Sequence, residues 1–314
     1  MSDTKEEREV FGRTIGFSNL DKILYPDAGI TKGDVVEFYG RIADTMLPHV
    51  QDRFLSMHRW PDGIDGKDFY QKDTPHWFPD WIRTREVEKE GGTNCQVVVE
   101  EPATLVYLAQ QACLTPHVWL SRADEPRRPD RIVFDLDPPK ESWREAFDDV
   151  RRAARRLRAV LDEIGLVPFV MTSGSSGLHV HVPIRRERGF DEVKGLARDV
   201  AELLARRHPE RLTTEVRKKA RKGRIFLDIL RNEYAQTAVA PYSLRARPGA
   251  PVATPLEWDE VSGSGMGPRR YTLENLFRRL GHKDDPWKGI GRRARSLGAP
   301  REALDRLLEE EGNR

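Results

Sequence analysis

Cysteine is nearly absent: Cys95 and Cys113 are the two in 314 residues. That excludes a disulfide framework and a four-cysteine zinc site, and it fits a reducing compartment. No apolar run is long enough to span a bilayer, and the opening MSDTKEER lacks the apolar stretch of a signal peptide. Internal repeats and low-complexity segments are also missing. Net charge is close to nil, with 53 Lys and Arg against 51 Asp and Glu for a formal +2, so a nucleic-acid footprint has to be a local patch. The expectation is a soluble cytoplasmic chain that buries a large core as one globular unit with two lobes.

What is present is organised around IVFDLDPP, residues 132–139. On a strand, Val133, Asp135 and Asp137 point one way and Ile132, Phe134 and Leu136 point into a core. Pro138 and Pro139 cannot continue a sheet, so the aspartates lie at a strand end. Two neighbouring carboxylates repel each other unless a cation sits between them, and hard oxygen ligands suit magnesium or manganese. The plainer account is a capped strand end with two solvated aspartates.

Upstream, Thr31 and Asp34 have capping-box spacing, and Val35, Tyr39, Ile42 and Met46 follow on one face of a helix. Lys32 falls in its first turn, where free N–H groups favour an anion, and Lys22 lies just before it. Two solvated lysines are the plainer account here too. A strand runs through Met57 into the turn at Trp60-Pro61, and DFYQK (68–72) follows. Adjacent aromatics on a strand cannot both face the core, so Phe69 or Tyr70 is exposed, as a base-stacking platform or as a half-buried ring with a wet hydroxyl. Residues 86–93 read as a mobile loop between strands, and 102–113 as a short apolar helix.

Downstream, 144–164 is an amphipathic helix with an arginine-rich, solvated side. A strand over 167–171 leads through the Ser/Gly turn 172–177 into LHVHVP (178–183), where His179 and His181 share a face. Such a turn offers N–H groups to phosphate oxygens, and a histidine just after it can donate to the same anion. A helix over 191–207 precedes the basic run RKKARKGR (217–224) and the strand IFLDILRN (225–232). The run is either a solvated loop or a charge delivered to that strand. Asp228 is costly in its apolar setting unless paired or metal-bound. Arg231 lies opposite it on a regular strand and rejoins it if the strand breaks. PYSLRAR (241–247) adds Arg245 and Arg247, and helices over 271–280 and 301–310 brace the core.

Three carboxylates on neighbouring strands are the usual provision for two divalent ions that clamp an in-line phosphoryl displacement. With Ser173, His179, Arg231 and Arg245 as an anion clamp, the residues point to nucleotidyl transfer.

The succession DLDP (135–138), SGSSGLHVHVP (173–183), IFLDILRN (225–232) and PYSLRAR (241–247) resembles the archaeo-eukaryotic primase superfamily, and within it the polymerase domains of bacterial ATP-dependent ligase D and their stand-alone relatives. The resemblance implies an α/β (α+β) fold in which an N-terminal α/β lobe accompanies an RRM-like catalytic lobe flanked by helices. It places a charged segment at 1–14, the primase-polymerase domain at 15–300 and a C-terminal helix at 301–314. It implies a metal-dependent enzyme that uses two manganese or magnesium ions to add nucleotides, often ribonucleotides, to a DNA primer at gaps or broken ends, with Ku and an ATP-dependent ligase as partners. By residue, it makes Asp135, Asp137 and Asp228 metal ligands. Ser173, His179, Arg231 and Arg245 become triphosphate contacts, and His117 joins the nucleotide pocket. Lys22 and Lys32 hold the 5′-phosphate beyond a gap, Phe69 and Tyr70 meet the template, and Arg221 lies in a loop that steadies DNA ends. Some relatives carry a lysine two residues before the Trp-Pro; here His58 takes that place in the nucleotide pocket.

Two other classes compete. A DNA-end-binding module without chemistry would use the cations and leave the aspartates structural, and a histidine-dependent nucleotide hydrolase or phosphodiesterase would use the 179–182 stretch. The second leaves the acidic strands unexplained.

Overall fold

A computed structural model describes residues 6–89, 91–139 and 143–313. The chain forms two compact units. The first takes the chain up to Trp119 with Val239–Ala253 and Tyr271–Lys283; the second takes Leu120–Ala238, Thr254–Arg270 and the chain from Asp284 on.

The first unit opens with a hairpin, β1 (Glu6–Val10) and β2 (Arg13–Phe17), and a small ladder, β3 (Ile23–Tyr25) with β4 (Ile30–Thr31). Helix α1 (Lys32–Val50) begins as the sequence predicts: the Thr31 side chain accepts from Asp34 N–H and the Asp34 side chain accepts from Thr31 N–H. Its Val35, Tyr39, Ile42 and Met46 are fully buried. Then follow β5 (Phe54–Arg59), β6 (Phe69–Gln71), β7 (Thr84–Lys89), β8 (Gly92–Val98), α2 (Pro102–Gln110) and β9 (Cys113–Trp119). Within this unit the strands lie in the order β9-β5-β8-β7, with β6 on the far end of β5, and α1 packs on α2.

Two expectations are corrected here. Residues 86–93, read as a mobile loop, lie largely in the antiparallel β7–β8 pair, in register from Thr84 opposite Val97 to Lys89 opposite Gly92. Val87 is its one buried apolar side chain before the turn, so the charged residues of an alternating strand pass for loop. The helix expected to reach residue 113 stops at Gln110, because Ala112 takes a left-handed φ of 56° and Cys113 begins β9.

The second unit runs β10 (Arg131–Asp137), α3 (Phe147–Glu163), β11 (Phe169–Thr172), β12 (Leu178–Pro183), α4 (Phe190–Arg207), β13 (Leu212–Thr213) and β14 (Ile225–Asp228). The strand order is β13-β14-β10-β12-β11, extended by β16 (Pro255–Leu256), which enters after β15 (Thr237–Val239). Apart from the parallel β13–β14 edge, the neighbours are antiparallel. Reading β10-α3-β11-β12-α4-β14 as βαββαβ gives the RRM-like arrangement, with α3 and α4 packed on the sheet and on each other. A short α5 (Trp258–Val261) follows β16. The five-residue α6 (Leu276–Leu280) belongs to the first unit, and α7 (Gly298–Gly312) packs on α4. The α3 helix starts at Phe147, three residues later than expected, and β11 spans Phe169–Thr172 instead of 167–171. Val133 shares the aspartates' face, but that face is closed at its position. It is fully buried against Leu120, Phe190 and Ala238. No helix among the described residues is long and apolar enough to cross a membrane.

Beside Val133 the β14 ladder has already ended, and a side chain takes its place. Asn232 is fully buried: its Oδ1 accepts from Val133 N–H at 2.8 Å, and its Nδ2 donates to the Val133 and Ile229 carbonyls at 2.7 and 2.8 Å. Replacing it with alanine strands both peptide groups of Val133 in a dry setting. Asn232→Ala is expected to lower unfolding free energy by about 2–4 kcal/mol, from two buried groups left unsatisfied. Urea denaturation measures this, and a loss near zero would show that water reaches Val133.

Candidate active site

The register of the second sheet determines the site. Asp135 sits opposite Asp228 on one side and opposite His179 on the other, so these side chains share one face. Asp137, two residues on, points the same way. Ligand oxygens of Asp135, Asp137 and Asp228 lie within 4.8 Å of one another. All the donors are carboxylate oxygens, partly withdrawn from water, which is the chemistry that suits a hard divalent cation. Their proximity and burial raise the carboxylates' hold on protons. Burial, then the charges of Asp135 and Asp228, push the Asp137 carboxyl up to about 7, against a smaller pull from Arg221 and Arg231. Burial also raises Asp228; the N–H of Leu230, 2.8 Å from its Oδ1, opposes this, and Asp135 adds to the rise.

Strand β14 ends at Asp228 and turns into a 3-10 stretch, Leu230–Asn232. The strand therefore breaks, and Arg231 rejoins the acids closely enough for its charge to oppose part of the rise at Asp137 and Asp228. His179 Nε2 stands 3.3 Å from Asp135 Oδ1, while its buried Nδ1 has no hydrogen-bond partner among the described residues. Beside the acids opens a cavity of about 630 Å³ lined by Asp137, Asp228, Pro138, Ser176 and the basic segment from Lys218 to Arg224.

The Ser/Gly turn works differently from the expectation. Its N–H groups do not face outward: those of Ser175, Ser176 and Gly177 converge on Ser173 Oγ at 3.1, 3.2 and 3.0 Å. With three N–H groups on its oxygen, that hydroxyl makes any further hydrogen bond as a donor. Gly177 is required, since a Cβ there would stand 2.1 Å from the Leu136 carbonyl oxygen, between the two aspartates in sequence. The basic run also folds on itself. Arg221 donates to the Glu215 and Val216 carbonyls and lies 3.7 Å over the Phe226 ring, and Arg224 bonds to the carbonyls of Pro209, Ala220 and Arg221.

The other expected residues fall in the first unit. His58 stacks on Tyr70, with ring centres 4.1 Å apart and planes at 18°, and shares a 2.6 Å hydrogen bond with Asp68. His117 meets both rings edge-on. Burial holds His58 below the usual histidine range. The Asp68 bond opposes this, and the charges of Arg245 and Arg247 add to it. Phe69 and Tyr70 are both exposed, at 44% and 56%, although one exposed ring was expected. The β6 strand is short and at an edge, and each ring leans on a β5 side chain, Phe69 on Arg59 and Tyr70 on His58.

Lys22 and Lys32 lie next to each other through the backbone, Lys32 N–H donating to Lys22 O at 2.8 Å. The α1 N-terminus is not open to an anion, however. Gly33 N–H donates to Leu20 O and Asp34 N–H to Thr31, while the Lys32 ammonium, nearly buried, donates to Ser18 O. Lys22 pairs with Asp62 at 2.7 Å. Sequence reasoning missed Asn232 and Gly177. The Asn at the end of IFLDILRN and the Gly before LHVHVP were visible, but not their partners.

Asp137 must lose its proton to bind a cation, so cation affinity is expected to drop about tenfold per pH unit below 7 and to level off above 8. In the metal-free protein the folded form holds the Asp137 proton more tightly than the unfolded chain does, so stability falls as pH climbs from about 4 through 7. Calorimetric manganese titrations at pH 6 and 8, with thermal melts of the chelated protein and Asp137→Asn, check both. Equal affinity at the two pH values would contradict the arrangement.

The chain is also similar to known proteins. Residues 31–287 match the family model described as LigD, primase-polymerase domain. The chain is 34% identical over 293 residues to the multifunctional non-homologous end joining DNA repair protein LigD of Mycobacterium tuberculosis, covering 91% of this chain and 37% of that protein. It is 34% identical to LigD of Pseudomonas aeruginosa and 31% to the bifunctional LigD of Bacillus subtilis, covering 35% and 43% of them. The chain thus spans well under half the length of these relatives. Among solved structures, the polymerase domain of Mycobacterium tuberculosis ligase D in complex with DNA matches with a TM-score of 0.83 at 32% identity, over 89% of this chain and 99% of that one. The chain belongs to the LigD primase-polymerase family, a family of nucleotidyltransferase-type polymerases in non-homologous end joining.

Proposed function

We propose that this chain adds nucleotides to the 3′ end of a DNA primer at gaps or broken ends during DNA repair. The observation that carries the reading is the meeting of Asp135, Asp137 and Asp228 beside a cation-lined cavity. The three carboxylates would hold two divalent ions, manganese or magnesium. When bound, such ions lower the pKa of the attacking hydroxyl and neutralise charge on the leaving pyrophosphate. The bond formed joins the primer 3′ oxygen to the α-phosphorus, and the bond broken releases pyrophosphate. The Ser173 hydroxyl, His179 and Arg231 would orient the triphosphate from the second unit.

Phe69 and Tyr70, each backed by a β5 side chain, would stack on template bases. Arg221 would brace the loop that meets the DNA end, leaving Lys218 and Lys219 to carry charge to it. Ku and an ATP-dependent ligase are the partners this role calls for, and the work would take place in the cytoplasm beside the nucleoid.

Asp137→Ala should abolish incorporation and leave DNA affinity within about twofold, because the phosphate contacts stay in place. A primer-extension panel with ribo- and deoxyribonucleotides, paired with binding titrations, tests this. Activity above a few per cent of wild type would remove the metal role, and an inactive wild type would favour a binding module without chemistry.

Lys22 and Lys32 would meet a terminal 5′-phosphate by side chains alone. Each charged hydrogen bond is worth roughly 1.5–3 kcal/mol, so a 5′-phosphorylated gap should bind tenfold or more tightly than its 5′-hydroxyl form. Lys22→Ala plus Lys32→Ala should erase that preference. Lys22→Ala alone covers the case in which loss of the buried Lys32 unfolds the protein, and an unchanged preference would place the pocket elsewhere.

A further inference from the structure

Residues 254–270 leave the first unit, run through the second and return. The excursion is fastened along its length. Thr254 and Thr172 exchange hydrogen bonds, Thr172 N–H to Thr254 O at 2.9 Å and Thr254 N–H to Thr172 Oγ1 at 3.1 Å. Strand β16 then pairs with β11, Leu256 opposite Val170. Trp258 Nε1 donates to Pro168 O at 2.9 Å, and Arg158 lies over its ring. The side of α3 expected to be merely solvated takes the next turn: Arg151 donates to the Val261 and Gly263 carbonyls, and Arg155 to Ser262 Oγ.

The excursion then delivers Arg269, whose Nε donates to Ser175 O at 2.7 Å. Its guanidinium lies 4.5 Å from the Trp143 ring, on the segment that follows the acidic strand. The turn at 173–177 is thus held at two points, by Thr254 on Thr172 just before it and by Arg269 on Ser175. Among the described residues the cavity is lined by Ser176 but not by Arg269. Arginine suits the task because its planar group can lie on an indole while its N–H donates in plane, which a lysine cannot do.

We propose that Arg269 is a positioning residue for the incoming triphosphate: by holding the Ser175 carbonyl beside Trp143 it fixes the turn in which three N–H groups converge on Ser173 and orient that hydroxyl as a donor toward a phosphate oxygen. This rests on the polymerase reading above. Removing the grip lets the turn open before the nucleotide binds, so the cost falls on nucleotide affinity and not on the chemical step.

The test is steady-state primer extension on a gapped DNA with the nucleoside triphosphate varied. Arg269→Ala should raise KM for the nucleotide roughly tenfold, the scale of one charge-assisted hydrogen bond. kcat should stay within about twofold, as should DNA affinity, since neither depends on the turn. Arg269→Lys, which keeps a donor but loses the stacking, should recover part of the KM. It also stands in if the alanine variant does not fold: wild-type KM in Arg269→Lys together with an unfolded Arg269→Ala would mean a purely structural role and would overturn the proposal. So would a folded Arg269→Ala with unchanged KM, or one that loses kcat alone. Ser173→Ala in the same assay separates the two layers. If it raises KM and Arg269→Ala does not, this proposal fails and the polymerase reading stands. If Ser173→Ala leaves KM unchanged, the turn is not the triphosphate site, and both the assigned role of Ser173 and this proposal fall.

Discussion

Three carboxylates on two adjacent strands repel one another, and much of the second unit arranges itself around that repulsion. Antiparallel pairing puts Asp135 opposite Asp228, so the sheet cannot form in register without bringing the charges together. Burial on the site's flanks removes the water that would otherwise screen them. The nearby groups partly offset the cost: Leu230 N–H on Asp228, the charges of Arg221 and Arg231, and His179 beside Asp135. A divalent cation would offset the rest, which is the sense in which the acids fit a metal.

The same constraint explains several details whose purpose is otherwise obscure. Strand β10 has to stay straight to present Asp135 and Asp137 together, yet β14 stops at Asp228; Asn232 extends the ladder with a side-chain amide to cover Val133. Gly177 has to approach the Leu136 carbonyl so that the Ser173 turn lies against the acidic strand. The turn uses its own N–H groups to polarise one hydroxyl instead of binding an anion through the backbone. Positive charge follows a similar economy, since Arg221 and Arg224 spend their donors on carbonyls of their own loop and shape it.

Much of this was legible in the chain because it depends on short-range rules. Period-two alternation with a proline stop marks β10 and both aspartates, and Thr31 with Asp34 marks the start of α1. A lone acid in IFLD marks Asp228. The motifs in their order were enough to indicate the family. Where the sequence misled, the cause was a partner far along the chain or a pattern with too little apolar content. Strand β7 carries charge on every residue but Thr84 and Val87, and the first half of β8 is polar. The first-turn N–H groups of α1 look free until Leu20 and Lys22 supply carbonyls. Nothing local to Arg269 marks a carbonyl 94 residues away, and nothing local to Arg151 and Arg155 marks the acceptors that the 254–270 excursion supplies.

Anomalous diffraction from crystals soaked in manganese with a non-hydrolysable nucleoside triphosphate tests the central claim most directly. The account predicts anomalous density among Asp135, Asp137 and Asp228, with the triphosphate beside Ser173 and Arg231. Manganese density elsewhere, with the three carboxylates bare at pH 8, would contradict it.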